Sequence, residues 1–193
     1  ATERWLADDD SSRLVLLIPA GWAATADDPG AEAALLALQQ ARCFGAAVVA
    51  AYGNAGDGAA DAGRVPRGPL CPACFADRAV AGCAASAGPV WPAAGVQALP
   101  DGGLGRLPNG RDPGEVAPAV YGYGARVRPS GGELAWTGSS AGAALAAAGL
   151  AVTWAGLPDA TGVAGADAAL GAAEAIAAEA GGFLAPCKAA GQG

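Results

Sequence analysis

The sequence contains no histidine. No imidazole of this chain can therefore serve as a general base or as a metal ligand. Lysine is nearly absent as well: Lys188 is the single one among eleven basic residues, and the net charge is -7. No basic run provides a phosphate-binding footprint, which argues against nucleic acid as a partner. Aromatic residues make up only 6% of the chain although 53% of it is hydrophobic, mostly alanine. Small side chains of this kind favour close packing of helices on a sheet over a bulky aromatic core. The longest uncharged apolar stretch, Leu134 to Leu157, is interrupted by Thr137-Gly138-Ser139-Ser140. It reads as a buried helix and not as a membrane span. No positively charged leader opens the sequence, a trait that a mature secreted protein shares. No clean repeat or dividing linker is present, and 193 residues suffice for one core. The expectation is a single domain over 1–193, with a Pro/Gly-rich loop insertion at about 86–118 and a C-terminal helix and tail over 159–193.

Five cysteines leave at least one without an intrachain partner. Cys71-Pro72-Ala73-Cys74 has redox-motif spacing, but it follows Gly68-Pro69 in a loop. A thioredoxin-type motif opens a helix directly after a strand. A loop disulfide and a pair of plain thiols both remain open readings. Zinc is disfavoured, because no second CxxC and no histidine complete a site. The acidic groups Asp8-Asp9-Asp10 and Asp57/Asp61 match no calcium-loop spacing and read as solvated loops. No cofactor is implied.

Hydrophobic patterning gives alternating strands and helices. Glu3 to Asp9 look like the end of a helix. Arg13 to Gly21, RLVLLIPAG, is a continuous apolar run suited to a parallel strand buried on both faces. Asp27-Asp28-Pro29 supplies a cap with proline in the first turn, and Ala31 to Phe44 has helical spacing up to Gly45. Ala46 to Asn54, AAVVAAYGN, is a second buried strand, so a crossover unit is expected. Ala79 to Ala84 is a third short run, and Pro89 to Pro118 reads as surface loop. Tyr121 to Val127 holds another strand. Ser140 to Trp154 is apolar all round and should be central, and Ala164 to Ala180 is a second alanine-rich helix. Its acids Asp167, Glu174 and Glu179 read as a solvated face, and the tail from Gly181 as loop. Trp136 and Trp154 read as packing residues around the central helix.

Gly138-Ser139-Ser140-Ala141-Gly142 fits the G-x-S-x-G pattern, whose glycines relieve crowding at a tight strand-to-helix turn. Hydrolases that use that elbow, the cyanophycinase-like peptidases included, need a histidine after the serine. The plain alternative is that Ser139 or Ser140 caps a helix. For Asn54 in Gly53-Asn54-Ala55-Gly56, the plain alternative is a turn residue after a strand.

Four segments taken in order say more. VVAAYGNAG (Val48 to Gly56), GPLCPACFADRAVAGCAA (Gly68 to Ala85), EVAPAVYGYGARV (Glu115 to Val127) and WTGSSAGAALAAAGLA (Trp136 to Ala151) resemble successive segments of the C-terminal two-thirds of a subtilisin-like serine protease, a subtilase of peptidase family S8. The resemblance covers roughly Glu3 to Trp154. It implies an α/β three-layer sandwich with a mostly parallel sheet, truncated at its N-terminal side. It places Ser140 at the nucleophile position and Asn54 at the oxyanion position, where a side-chain amide and the Ser140 N–H would donate to a developing O⁻. It also implies that Ala20, Gly21, Ala51, Tyr52 and Gly53 line the substrate cleft, their backbone edges pairing with an extended peptide. Tyr52 stands where the family prefers small residues and would partly fill the primary side-chain pocket.

The departures from the family are as informative. After Ser140 the chain reads Gly142, Ala143, Ala144, Leu145 where the family has proline and histidine, and the triad's aspartate and histidine would lie before the chain begins. A serine without a base keeps its proton and is a poor nucleophile. Lys188, in a glycine-rich tail, lacks the burial that a lysine base requires. The reading is therefore a degenerate subtilase-like domain, silent by itself, with a peptide- or protein-binding role. Two alternatives stand beside it. One is an active endopeptidase whose Asp and His come from another chain or a precursor segment. The other is a structural subunit, since RLVLLIPAG would become an edge strand needing cover, which a second chain could supply.

Overall fold

A computed structural model describes residues 13–24, 28–55, 68–111, 119–127, 132, 134–179 and 183–184. The helical reading of Glu3 to Asp9, the acidic groups Asp8-Asp9-Asp10 and Asp57/Asp61, Cys187 and Lys188 lie outside them. The first described strand, β1 (Val15–Ile18), leads into helix α1 (Pro29–Cys43) and strand β2 (Ala47–Ala51). Asp28 caps α1, its carboxylate accepting from Gly30 N at 2.8 Å and Ala31 N at 3.4 Å, with Pro29 opening the first turn. Gly45, at φ 94°, turns the chain out of α1; a Cβ there would lie 2.6 Å from the backbone of Gly162.

Next come a single 3-10 turn (Ala73–Phe75) and strands β3 (Trp91–Ala98), β4 (Leu104–Arg106), β5 (Ala119–Tyr121), β6 (Ala125–Val127) and β7 (Leu134–Trp136). Helices α2 (Ser139–Ala155) and α3 (Gly162–Glu179) and strand β8 (Phe183–Leu184) complete the order. The main sheet runs β1-β2-β3-β5-β8 with every pair parallel, and β4 adds antiparallel to β3. β6 and β7 form a separate antiparallel pair that delivers the chain to α2.

The sheet is covered on both faces. Side chains alternate along β2: Ala47, Val49 and Ala51 join Ala143, Ala146, Leu150 and Trp154 of α2, while Val48 and Ala50 join Ala31 and Leu38 of α1 and Phe75. α3 closes the first layer through Ala166, Ala169, Leu170 and Ala173. This is a three-layer α/β arrangement around a mostly parallel sheet. Among the described residues no helix is long and apolar enough to cross a membrane, and no group of three or more His, Cys, Asp or Glu could hold a metal ion.

Several sequence expectations need correction. Pro89 to Pro118 is not surface loop throughout: its described part, 89–111, contains β3, the buried middle strand, and β4, and 112–118 lie outside the described residues. Pro92 misleads the reading, yet its position is tolerable. It pairs with Ala50 on one side, and pairing with β5 on the other side begins only at Ala94. Gly95 lets Leu107 close over β3, because a Cβ there would lie within 2.4 Å of Leu107 Cδ1. Ala79 to Ala84 forms bends instead of a strand, Tyr121 to Val127 is divided between β5 and β6, and Phe183–Leu184 puts a strand in the expected tail. Trp154 is buried and donates to Ala160 O at 2.7 Å, as packing requires, whereas Trp136 is 53% exposed on β7. Cys71 and Cys74 form a disulfide, and Cys43 pairs with Cys83, tying the end of α1 to the bends.

The largest departure is Asp167, which is not on a solvated face. Its carboxylate meets Arg42, a fully buried guanidinium at the end of α1. Arg42 also donates to Ala46 O at 2.6 Å and Gly88 O at 3.3 Å, while Asp167 accepts from Ser86 N at 2.7 Å and Ser86 Oγ at 2.9 Å. The pair links the helices on opposite faces around the amino ends of the strands. Burial lowers the Arg42 pKa, and the facing carboxylate partly offsets this. For Asp167 burial acts upward, but the Ser86 N–H and hydroxyl, the Arg42 charge and the Ala87 N–H together hold the carboxyl below its ordinary value.

Removing one partner of such a pair leaves a buried charge unmatched. Asp167→Ala is expected to cost about 3–5 kcal/mol in denaturant unfolding. Because the Asp167 pKa is depressed on folding, its contribution is present above the unfolded value, near 4, and is lost as pH falls through the folded value. Melting temperatures of wild type and Asp167→Asn should therefore differ most at neutral pH and converge as the pH falls below the unfolded value.

Candidate functional site

The carboxyl ends of β1 and β2 and the amino end of α2 meet at one place, which is where open parallel sheets place their ligand crevices. Gly138, at φ 157°, begins α2 without a side-chain cap of its own. The capping acceptor comes from elsewhere in the chain: Asn54 Oδ1 takes the Ser139 N–H at 2.9 Å and the Ser139 hydroxyl at 3.1 Å. The same hydroxyl accepts from Gly53 N at 3.1 Å. Ser139 is 2% exposed, so these three bonds join the end of β2 to the start of α2 inside the molecule. Neither serine caps the helix with its own oxygen.

Asn54 is held from its backbone side too, by a bridge to Gly110, with Ala55 N donating to Asn109 O at 2.7 Å. With Oδ1 committed to two donors, the amide nitrogen is fixed in orientation. It lies beside Gly138, where a Cβ would come within 3.0 Å of Nδ2. Glycine is therefore favoured at 138 by φ, and a Cβ there would press on the Asn54 amide. Gly142 seats the first turn of α2 on the sheet; a Cβ there would lie 3.2 Å from Ala94 O and 3.4 Å from Val120 O.

Ser140 is partly exposed, and its hydroxyl donates to Pro19 O, just beyond β1, at 2.5 Å. A peptide carbonyl cannot take up a proton, so this contact orients the hydroxyl and leaves it un-ionised. In the first turn, Ala141 N and Gly142 N bend back to Gly138 O and Ser139 N goes to Asn54. The Ser140 N–H is left without an acceptor among the described residues, at the positive end of a seventeen-residue helix. Ser140 and Asn54 are thus brought to one edge through Ser139, the residue between Gly138 and Ser140.

The five residues expected to line a cleft fall on two sides. Ala20 and Gly21 are exposed beyond β1; Ala51, Tyr52 and Gly53 are buried at the end of β2. Sequence reasoning missed the residue between them. Leu70 donates its N–H to Tyr52 O at 2.9 Å, and Cys71 exchanges a pair of backbone bonds with Trp22, at 2.8 and 2.9 Å. The Leu70 side chain reaches both sides: a Cβ on Gly21 would meet Leu70 Cβ at 2.9 Å, and one on Gly53 would meet Leu70 Cγ at 2.7 Å. Leu70 also borders a cavity of about 620 Å³ lined by Leu35, Phe75, Arg78 and Arg111, with Asp28 and Glu32 at the start of α1. Nothing local in Gly68-Pro69-Leu70 signals this, because its partners lie far away in sequence.

No protein-family model matches the chain, and none of the curated proteins compared with it matches significantly. Solved structures do. One is a subtilase cytotoxin, SubAB, described for its assembly: TM-score 0.52, 18% identity, covering 76% of this chain and 46% of that one. Another is the prenylagaramide maturation protease PagA: TM-score 0.50, 17% identity, covering 80% of this chain and 47% of that one. At such identity the likeness is one of fold, and the chain spans about half the length of these structures.

The Asn54–Ser139 contact yields a discriminating pair of variants. Asn54→Ala strands the buried Ser139 N–H and should lower stability by about 1–3 kcal/mol. Asn54→Asp keeps the acceptor while removing the amide donor, and should unfold within about 1 kcal/mol of wild type. Paired urea titrations read both outcomes. The fold has the three-layer α/β form of subtilase-related structures.

Proposed function

We propose that this domain is a subtilase-like peptide-binding module that is catalytically silent by itself. Ser140 takes the nucleophile position and Asn54 the oxyanion position, while Ala20, Gly21, Ala51, Tyr52 and Gly53 line the cleft. The observation that supports this most is the double anchoring of Asn54 Oδ1 by Ser139. It leaves Nδ2 and the Ser140 N–H as donors near the carboxyl edge of a parallel sheet, the kinds of group that would serve a tetrahedral oxyanion or a peptide carboxylate. The reading of silence rests on chemistry: the chain has no histidine, and the Ser140 proton rests on a carbonyl. Binding and an oxyanion site without a working triad leave only about 10³–10⁴-fold of acceleration over water.

A second reading is an endopeptidase completed by Asp and His from another polypeptide or a precursor segment. The observation in its favour is the edge of β1. Among the described residues β1 pairs only with β2, and Leu17 on this apolar strand is 40% exposed. An open apolar edge is a template for an added strand. The SubAB neighbour is described for its assembly, which is in keeping with a partner, as is a structural role within a complex.

A fluorophosphonate probe separates these readings. The isolated chain is expected to remain unlabelled under conditions that label an active serine protease to completion. Labelling of the isolated chain that disappears in Ser140→Ala would overturn the silent reading. Labelling that appears only after addition of a second polypeptide would establish the completed endopeptidase.

A further inference from the structure

We infer that the Cys71–Cys74 disulfide is a thiol–disulfide exchange site, with Cys74 as the sulfur that an external thiolate attacks. This goes beyond the peptide-binding reading and does not depend on Ser140 or Asn54. In the sequence, Cys71-Pro72-Ala73-Cys74 lacks the strand-to-helix setting that redox motifs use. The folded chain supplies it. Cys71 pairs antiparallel with Trp22 through backbone bonds of 2.8 and 2.9 Å. The chain then passes at once into the 3-10 turn Ala73–Phe75, closed by Cys74 N–H to Leu70 O and Phe75 N–H to Pro72 O, both at 3.0 Å. The two sulfurs are thus joined within a single turn at an extended-to-helical junction.

The two cysteines differ in access. Cys71 is 5% exposed and Cys74 is partly exposed, and both border the cavity of about 620 Å³. A space of that size admits a small thiol-bearing molecule. The same cavity is bordered by Arg78, four residues beyond Cys74, and by Arg111. Arg78 is exposed and forms no ion pair among the described residues, so its charge is at hand for an anionic thiol and for a released thiolate. Of the two acids there, Asp28 already accepts the Gly30 and Ala31 N–H groups, which leaves Glu32 as the uncommitted one. Cys43–Cys83 offers the contrast: it joins residues 40 apart and does not border this cavity. In the exchange, the incoming sulfur bonds to Cys74 Sγ as the bond between Cys74 and Cys71 breaks. The electron pair leaves on Cys71 Sγ, which takes up a proton. A second thiolate then displaces Cys74 from the mixed disulfide. Two external thiols are oxidised to one disulfide, and the protein holds two thiols in their place. Because both stay in one turn, an external disulfide restores the ring by the reverse steps.

Glutathione and its disulfide serve as probes. The full chain, carrying Cys187→Ser so that the fifth cysteine cannot exchange, is oxidised, treated with reduced glutathione without denaturant, and quenched by alkylation at intervals. Peptide mass spectrometry then reads each cysteine. Cys71 and Cys74 should become alkylated together, at least about tenfold faster than Cys43 and Cys83. In a second arm, Cys71→Ser and Cys74→Ser are added singly, checked for folding by circular dichroism, and exposed to glutathione disulfide. The free Cys74 should acquire glutathione at least about tenfold faster than the free, buried Cys71. Opening of Cys43–Cys83 first, or of both bonds at one rate, overturns the proposal. So does a Cys71–Cys74 bond that opens only in denaturant, or glutathione that collects on Cys71 instead of Cys74. The first arm changes no residue of the ring, so it decides the matter even where a variant of the second fails to fold.

Discussion

The hydrogen bonds of Ser139 fix everything at the carboxyl edge of the sheet. A hydroxyl that accepts from Gly53 and donates to Asn54, beside an N–H donating to the same amide oxygen, makes one buried residue the joint between β2 and α2. Because that joint is satisfied internally, the first turn of α2 needs no side-chain cap of its own. The next residue, Ser140, then sits partly exposed, its hydroxyl donating to Pro19 O and its N–H without an acceptor among the described residues. The polar groups left over at this edge are thus a consequence of how the helix start is satisfied. Small residues make the joint possible, since Gly138 and Gly142 let a helix end approach strand backbones closely.

The opposite edge is built on charge. Arg42 and Asp167 connect the two helical layers beneath the strands, each with further hydrogen bonds that offset desolvation. Arg13 adds a related clamp, donating to Ala160 O at 3.2 Å and Leu157 O at 2.5 Å in the connection between α2 and α3. Between these two edges the core is mostly alanine and valine, whose individual burial terms are modest. Polar ties at the rims therefore define how the layers sit, while the apolar interior supplies the bulk of the driving force.

This division explains what was legible from residues alone. α1 announces itself through Asp28-Pro29 and Gly45, α2 through uninterrupted apolar turns, α3 through alanine-rich ones, and β1 and β2 through continuous apolar runs; these are local signals. β3 is concealed by Pro92 and Gly95, residues that suit a loop until the staggered start of β5 and the approach of Leu107 are known. Asp167 reads as solvated because its partner is 125 residues away, and Leu70 reads as loop because its contacts belong to two other strand ends. At the candidate site, the order of the four segments indicated Ser140 and Asn54. The part played by Ser139 was hidden, since a serine between glycine and serine carries no mark of burial.

The Cys71–Cys74 bond has a consequence for handling the protein. It closes a ring of four residues directly beside Leu70, in a segment whose other ties are a few backbone contacts to Trp22 and Tyr52. Material made in a reducing cytosol and material made in an oxidising compartment would differ there, and their thiol history would be written into the shape of this segment. At this bond alone a single pair of hydrogens would separate two preparations that present the loop around Leu70 in two different shapes.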